Sequence, residues 1–155
     1  METNDINEAI KKITTAIERN RNTKSSDRDI FMTYGCIELN IFIHDNPNKL
    51  SSEDILYIYE KFCGEDYGFT IHGNWIKVKN KIINRDCIAK IEISHQDRDE
   101  HSKLIATLTS NEILKTSLSD DSKKISRNEV INLIGYDVHS CYAEFLLDKI
   151  INTLK

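Results

Sequence analysis

Residues 36–44, Cys36-Ile37-Glu38-Leu39-Asn40-Ile41-Phe42-Ile43-His44, decide how the rest of the chain is read. Ile37, Leu39, Ile41 and Ile43 alternate strictly with Glu38, Asn40, Phe42 and His44. Successive side chains of a β-strand point to opposite faces, so the pattern predicts a strand with one aliphatic and one mixed face. Upstream, Asp29 to Thr33 is expected as its hairpin partner, with Tyr34-Gly35 as the tight turn. Downstream, Asp45-Asn46-Pro47-Asn48 ends the strand, because Pro fixes its own dihedral and Asn tolerates turn conformations.

The segments on either side supply helices to cover that sheet. Ile6, Ala9, Ile10, Ile13, Ala16 and Ile17 recur at helical spacing within residues 4–20, giving a narrow apolar stripe. Residues 20–28 are polar and slightly basic, and are expected to form a mobile loop. Ser51 with Asp54 predicts a capping box, Ile55, Ile58, Tyr59 and Phe62 a buried face, and Gly64 the stop.

From Tyr67 to Ser94 the chain reads as a meander. Phe69 and Ile71 alternate, His72-Gly73-Asn74 turns, and Ile76 and Val78 share a face. Lys79 to Lys81 turns again, and Ala89, Ile91 and Ile93 alternate with Lys90 and Glu92. Residues 103–109 fit a strand through Leu104, Ala106 and Leu108, or a helix through Leu104, Ile105 and Leu108; periodicity leaves both open. The last third reads as helical. Ser126 and Glu129 resemble a capping box before Val130, Ile131 and Ile134, Gly135 stops that helix, and a second runs from about Val138 to Leu154 with Asp137 as its N-cap.

With 155 residues, the chain is long enough to bury roughly 70% of its unfolded surface as one domain. The predicted class is α+β: a single domain over 1–155, a mainly antiparallel sheet packed by N-terminal, middle and C-terminal helices. Aliphatic, aromatic and cysteine residues make up 39% and charged residues 30%, a globular rather than disordered balance. The excess of Ile, Asn and Lys over Pro and Gly fits A/T-rich coding DNA, as in many bacteria, phages and poxviruses. A net charge of −4 argues against a broad nucleic-acid binder, which needs clustered cations. Cys36, Cys63, Cys87 and Cys141 are dispersed without a Cys-x-x-Cys pair, as free thiols in a reducing cytoplasm would be. No apolar run approaches a membrane span, so a cytoplasmic location without a membrane partner is expected.

Motifs for chemistry are sparse. His95, Asp97, Asp99, Glu100 and His101 form the densest group of metal-ligand types, and His95, Asp97 and His101 are the candidate ligands of a metal-dependent hydrolase or nuclease. Their spacing matches no zinc or calcium signature, and a solvated hairpin loop is the favoured reading. Asp137-Val138-His139-Ser140-Cys141 contains the types needed for nucleophilic catalysis, but a helix start explains the same string. No catalytic residue and no cofactor is assigned. The mixed strand face offers a different possibility. Phe42 and His44, with Trp75, Lys77, Lys79, Lys90 and Glu92 on the same side, would present aromatic anchors among charges. Either helix 4–20 covers that face or it stays open to a partner.

In overall character the chain resembles bacterial immunity proteins of polymorphic-toxin and contact-dependent inhibition systems: small, acidic, and without catalytic motifs. The resemblance rests on no diagnostic motif. It implies a non-enzymatic protein that binds and neutralises a cognate toxin domain, with Asp97, Asp99, Glu100, Asp120 and Asp121 facing a basic toxin surface. A viral or phage accessory protein that binds a host factor fits the composition as well. Oligomeric state is left open.

Overall fold

The computed structural model describes residues 4–79, 81–95, 101–109 and 129–154. The fold is α+β and its strands pair antiparallel, as expected, but they form two sheets rather than one. The chain forms two compact units, Met1–Tyr67 and Gly68–Lys155.

The regular elements described in the first unit are all helical. Helix α1 spans Asn4–Asn20 and buries Ile6, Ala9, Ile13 and Ile17, the predicted stripe. The expected loop is shorter than residues 20–28, because α2 begins at Asp27, with the Ser26 hydroxyl accepting from the Asp29 amide. Arg28 is buried there. Its Nη2 donates to the Tyr67 carbonyl at 3.3 Å, and its guanidinium lies near Asp29 and Asp66. It serves as a structural cation.

The strands expected at 29–33 and 36–44 are helices. Helix α2, Asp27–Ile30, runs into a π-helical turn, Phe31–Gly35, and then into α3, Cys36–Asp45. Gly35 is thus not a hairpin residue; its φ of −65° is helical and any residue could adopt it. What Gly35 provides is space. A Cβ there would lie 2.6 Å from Cδ1 of Phe31 and 3.1 Å from Cγ2 of Ile13. Phe31 has nowhere to go, since its ring stands edge-on to Tyr59 at 5.4 Å and stacks on Phe62 at 5.1 Å. A five-residue turn places Phe31 and Gly35 one above the other, and the Cys36 amide bonds back to the Phe31 carbonyl.

From that turn onward the buried positions are Gly35, Cys36, Leu39 and Phe42, at helical rather than two-residue spacing. The alternating isoleucines are split by the 100° step: Leu39 faces inward, while Ile37 and Ile41 stand 54% and 48% exposed. Helix α3 ends before Pro47, and Asn48 takes a φ of 66°. The Ser51–Asp54 capping box forms in both directions, starting α4, Ser52–Cys63, which Gly64 ends at φ 57°.

In the second unit the meander is as expected and residues 103–109 resolve as strand. Strands β1 (Phe69–His72), β2 (Trp75–Val78) and β3 (Lys81–Asn84) form one sheet in that order. In the other, β4 (Ile88–His95) pairs with β5 (His101–Leu108). The opposite edge of β5 pairs with β6 (Glu129–Asn132) and then β7 (Val138–His139). The helix expected after Glu129 is therefore β6: Val130 and Ile131 are β-branched, and β5 offers them a ladder to pair with. Ser126 lies outside the described residues. Gly135, at φ 83°, turns the chain between β6 and β7. Helix α5, Ser140–Leu154, buries Tyr142, Ala143, Leu146 and Ile150 and packs on β4 and β5.

Two outcomes test this packing. Gly35→Ala should destabilise the protein by about 1–2 kcal/mol in urea denaturation, because overpacking exceeds the helix-propensity gain of alanine. Combining it with Phe31→Leu should recover part of that loss, and a Gly35→Ala variant as stable as the parent would contradict the close contact. The second concerns Cys36, whose thiol donates to the Tyr59 hydroxyl at 3.7 Å. Burial raises its pKa from 9.0 to about 11, against smaller opposing effects of Tyr59 and Arg28. The folded state therefore keeps a proton that the unfolded chain releases above pH 9. The resulting stability is complete below pH 9 and is lost as pH rises toward 11. Across that window the parent should lose about 2 kcal/mol relative to Cys36→Ala, measured as the difference in unfolding free energy.

Candidate partner-binding face

The three-stranded sheet is built from two tight turns. Gly73, at φ 55°, follows His72 at the first turn, and Lys79, at φ 56°, opens the second. These turns fix the register: Trp75 lies opposite His72 on β1 and Asn84 on β3, and Lys77 lies opposite Thr70 and Ile82. Directly paired residues share a face, so Thr70, His72, Trp75, Lys77, Ile82 and Asn84 form one surface. The other face carries Phe69, Ile76, Val78 and Ile83, all buried, with Ile71 half-buried and Lys81 exposed.

The first surface is open. Trp75 is 47% exposed and Ile82 65% exposed, and the register sets them diagonally, a separation an aromatic side chain can span. Exposed large apolar side chains grouped on one face mark a contact surface more strongly than the same residues scattered singly.

The other residues expected on that face lie elsewhere. Phe42 is buried on α3, with the Lys12 ammonium 5.6 Å from its ring centroid. His44 is at the exposed end of α3, its Nδ1 3.4 Å from Asp45. Lys90 and Glu92 belong to β4 and pair with each other at 3.2 Å. Phe42, His44 and Trp75 do not share a sheet because α3 is not a strand. Ile82 was missed, although its signal was present: Ile82 and Ile83 are adjacent, so a strand there must expose one of them.

The histidine loop is divided by its register. His95 pairs with Ser102, so His101, the next residue along β5, belongs to the opposite face of the β4–β5 ribbon. Asp97, Asp99, Glu100, Asp120 and Asp121 lie outside the described residues. Among the described residues, no group of three His, Cys, Asp or Glu side chains is placed to hold a metal ion.

What the histidines do instead is join strands to α5. The Ser102 hydroxyl lies 2.9 Å from His95 Nδ1 and 2.8 Å from the Ser140 hydroxyl. The His101 and His139 rings are 6.1 Å apart, edge to face. His139 Nδ1 accepts from the Cys141 amide at 3.3 Å and lies 3.2 Å from the Cys141 thiol. His139 thus takes the capping position expected of Asp137, which instead lies 3.9 Å from Lys103 Nζ. This is the chemistry of a helix start, and the Asp137–Cys141 string is accounted for by it.

Ile37 and Ile41 on α3 are also exposed, and Ile41 borders an open groove along α1. Its rim mixes Glu8 and Glu38 with Lys11, Lys12 and Arg19, and Lys12 is paired with Glu8. Among the described residues, no helix is long and apolar enough to cross a membrane. No protein-family model matches the chain, and neither a curated protein nor a solved structure is significantly similar to it.

Trp75 is the single tryptophan of the chain, so intrinsic fluorescence reports on this face alone. Acrylamide should quench the native protein nearly as well as the urea-unfolded chain. Blue-shifted emission resistant to quenching would contradict an open face.

Proposed function

We propose that this chain is a non-enzymatic, protein-binding protein, and specifically an immunity protein that occupies and neutralises a cognate toxin domain in the cytoplasm. The observation that supports a binding role is the open face of β1–β3, where Trp75 and Ile82 stand exposed on a rigid, hydrogen-bonded sheet. A preformed surface of this kind loses little conformational entropy on association, and a central aromatic anchor concentrates binding energy. The histidines and thiol that suggested chemistry are engaged in joining strands to a helix, whereas the exposure of Trp75 and Ile82 serves no packing role.

Neutralisation by occlusion requires only a stoichiometric, tight complex. Tagged protein expressed in its native host should therefore retain one partner protein at equal molar ratio. Trp75→Ala should weaken that complex by roughly 2 kcal/mol or more, about thirtyfold, without lowering the thermal midpoint, since Trp75 is not core. Co-expression of the partner without this chain should arrest growth. Absence of any stoichiometric partner would overturn the reading. A host factor that causes no growth arrest would transfer the same face to an accessory protein of viral or phage type.

A further inference from the structure

The charge around the open face differs from that of the rest of the chain. The protein carries a net charge of −4, yet between Gly68 and Arg85 there are four cations, Lys77, Lys79, Lys81 and Arg85, and no Asp or Glu. Lys77 stands within the face itself, between Thr70 and Ile82 in the register. Lys79 is exposed at the β2–β3 turn beside it, whereas Lys81, opposite Val78, belongs by register to the other face, and Arg85, just beyond β3, is followed by the exposed Asp86. The six residues of the face include no acid, and Lys77 stands beside both apolar anchors in the register.

We infer that this face docks an acidic protein surface: Trp75 and Ile82 enter an apolar depression of the partner while Lys77, with Lys79 at the adjoining turn, meets carboxylates around it. The inference rests on the protein-binding reading and names the partner's chemistry. It reverses the charge expected from Asp97, Asp99, Glu100, Asp120 and Asp121, because the described anchors lie among lysines. Complementary charge of this kind accelerates association and rejects basic competitors, and it is weakened by salt. A single-stranded nucleic acid would also welcome lysines and an aromatic ring. Such surfaces, however, align several aromatics along the strand path, whereas this face has one, and Ile82 offers a nucleotide neither stacking nor hydrogen bonds. The net negative charge of the whole chain opposes a polyanion further.

The test uses the full chain immobilised against a displayed library of random peptides, followed by titration of selected peptides monitored through Trp75 fluorescence. Selected sequences should combine Asp or Glu with a large apolar residue, and their affinity should fall as sodium chloride is raised. Lys77→Glu should weaken them by about tenfold or more, whereas Lys24→Glu, a charge reversal in the α1–α2 loop, should change affinity less than about twofold. Selection of basic or uncharged peptides, tighter binding of oligothymidylate than of any peptide, or indifference to Lys77→Glu would each overturn the inference. The two proposals fail separately. A native partner that binds equally well to Lys77→Glu removes the acidic docking surface and leaves the binding role intact. Acidic peptides that bind where no native partner is found leave the docking surface and remove the immunity role.

Discussion

The ring of Phe31 occupies the space that Gly35 leaves by having no side chain, and the helical unit is organised around that contact. Ile13 of α1 approaches from one side, Tyr59 and Phe62 of α4 from the other. All the elements meeting there are helical, and the π-turn is the local adjustment that brings residues 31 and 35 together. Once Phe31 is held, Cys36, Leu39 and Phe42 follow at helical spacing into the same interior. A strand at 36–44 would direct alternate residues inward instead, exposing either Cys36 and Phe42 or Leu39. The contact therefore determines which isoleucines stay outside.

That constraint explains where the sequence was readable. The capping box at Ser51, the stop at Gly64 and the meander from Phe69 onward depend on residues close in the chain, so spacing alone revealed them. Residues 36–44 depend on Phe31, Ile13 and the α4 aromatics, which no local window contains. Tyr34-Gly35 resembled a hairpin turn because glycine is read first as conformational freedom, whereas here it provides close approach. Glu129 to Asn132 failed for a related reason: β5 supplied a ladder, and tertiary pairing overrode a helical signature.

The candidate site divides along the same line. Trp75 was recognisable as an anchor from its alternation with Ile76 and Val78. Its true neighbours were not, because Thr70, His72, Ile82 and Asn84 are set beside it by two turns whose register must be known to the residue. The pairing of His95 with Ser102 likewise separated two histidines that looked like partners in the sequence. One step of register decides whether two imidazoles converge or face apart. The structure thus moves interest away from the histidines and toward a small basic sheet with an exposed tryptophan, in a chain that is otherwise negative.

The most direct measurement is hydrogen–deuterium exchange of the full chain, free and in complex with the partner retained from its native host. The account predicts new protection concentrated in residues 69–84, the three strands bearing Trp75, Lys77 and Ile82, with α3 unchanged. Protection confined to α3 around Ile37 and Ile41, with none in 69–84, would contradict it.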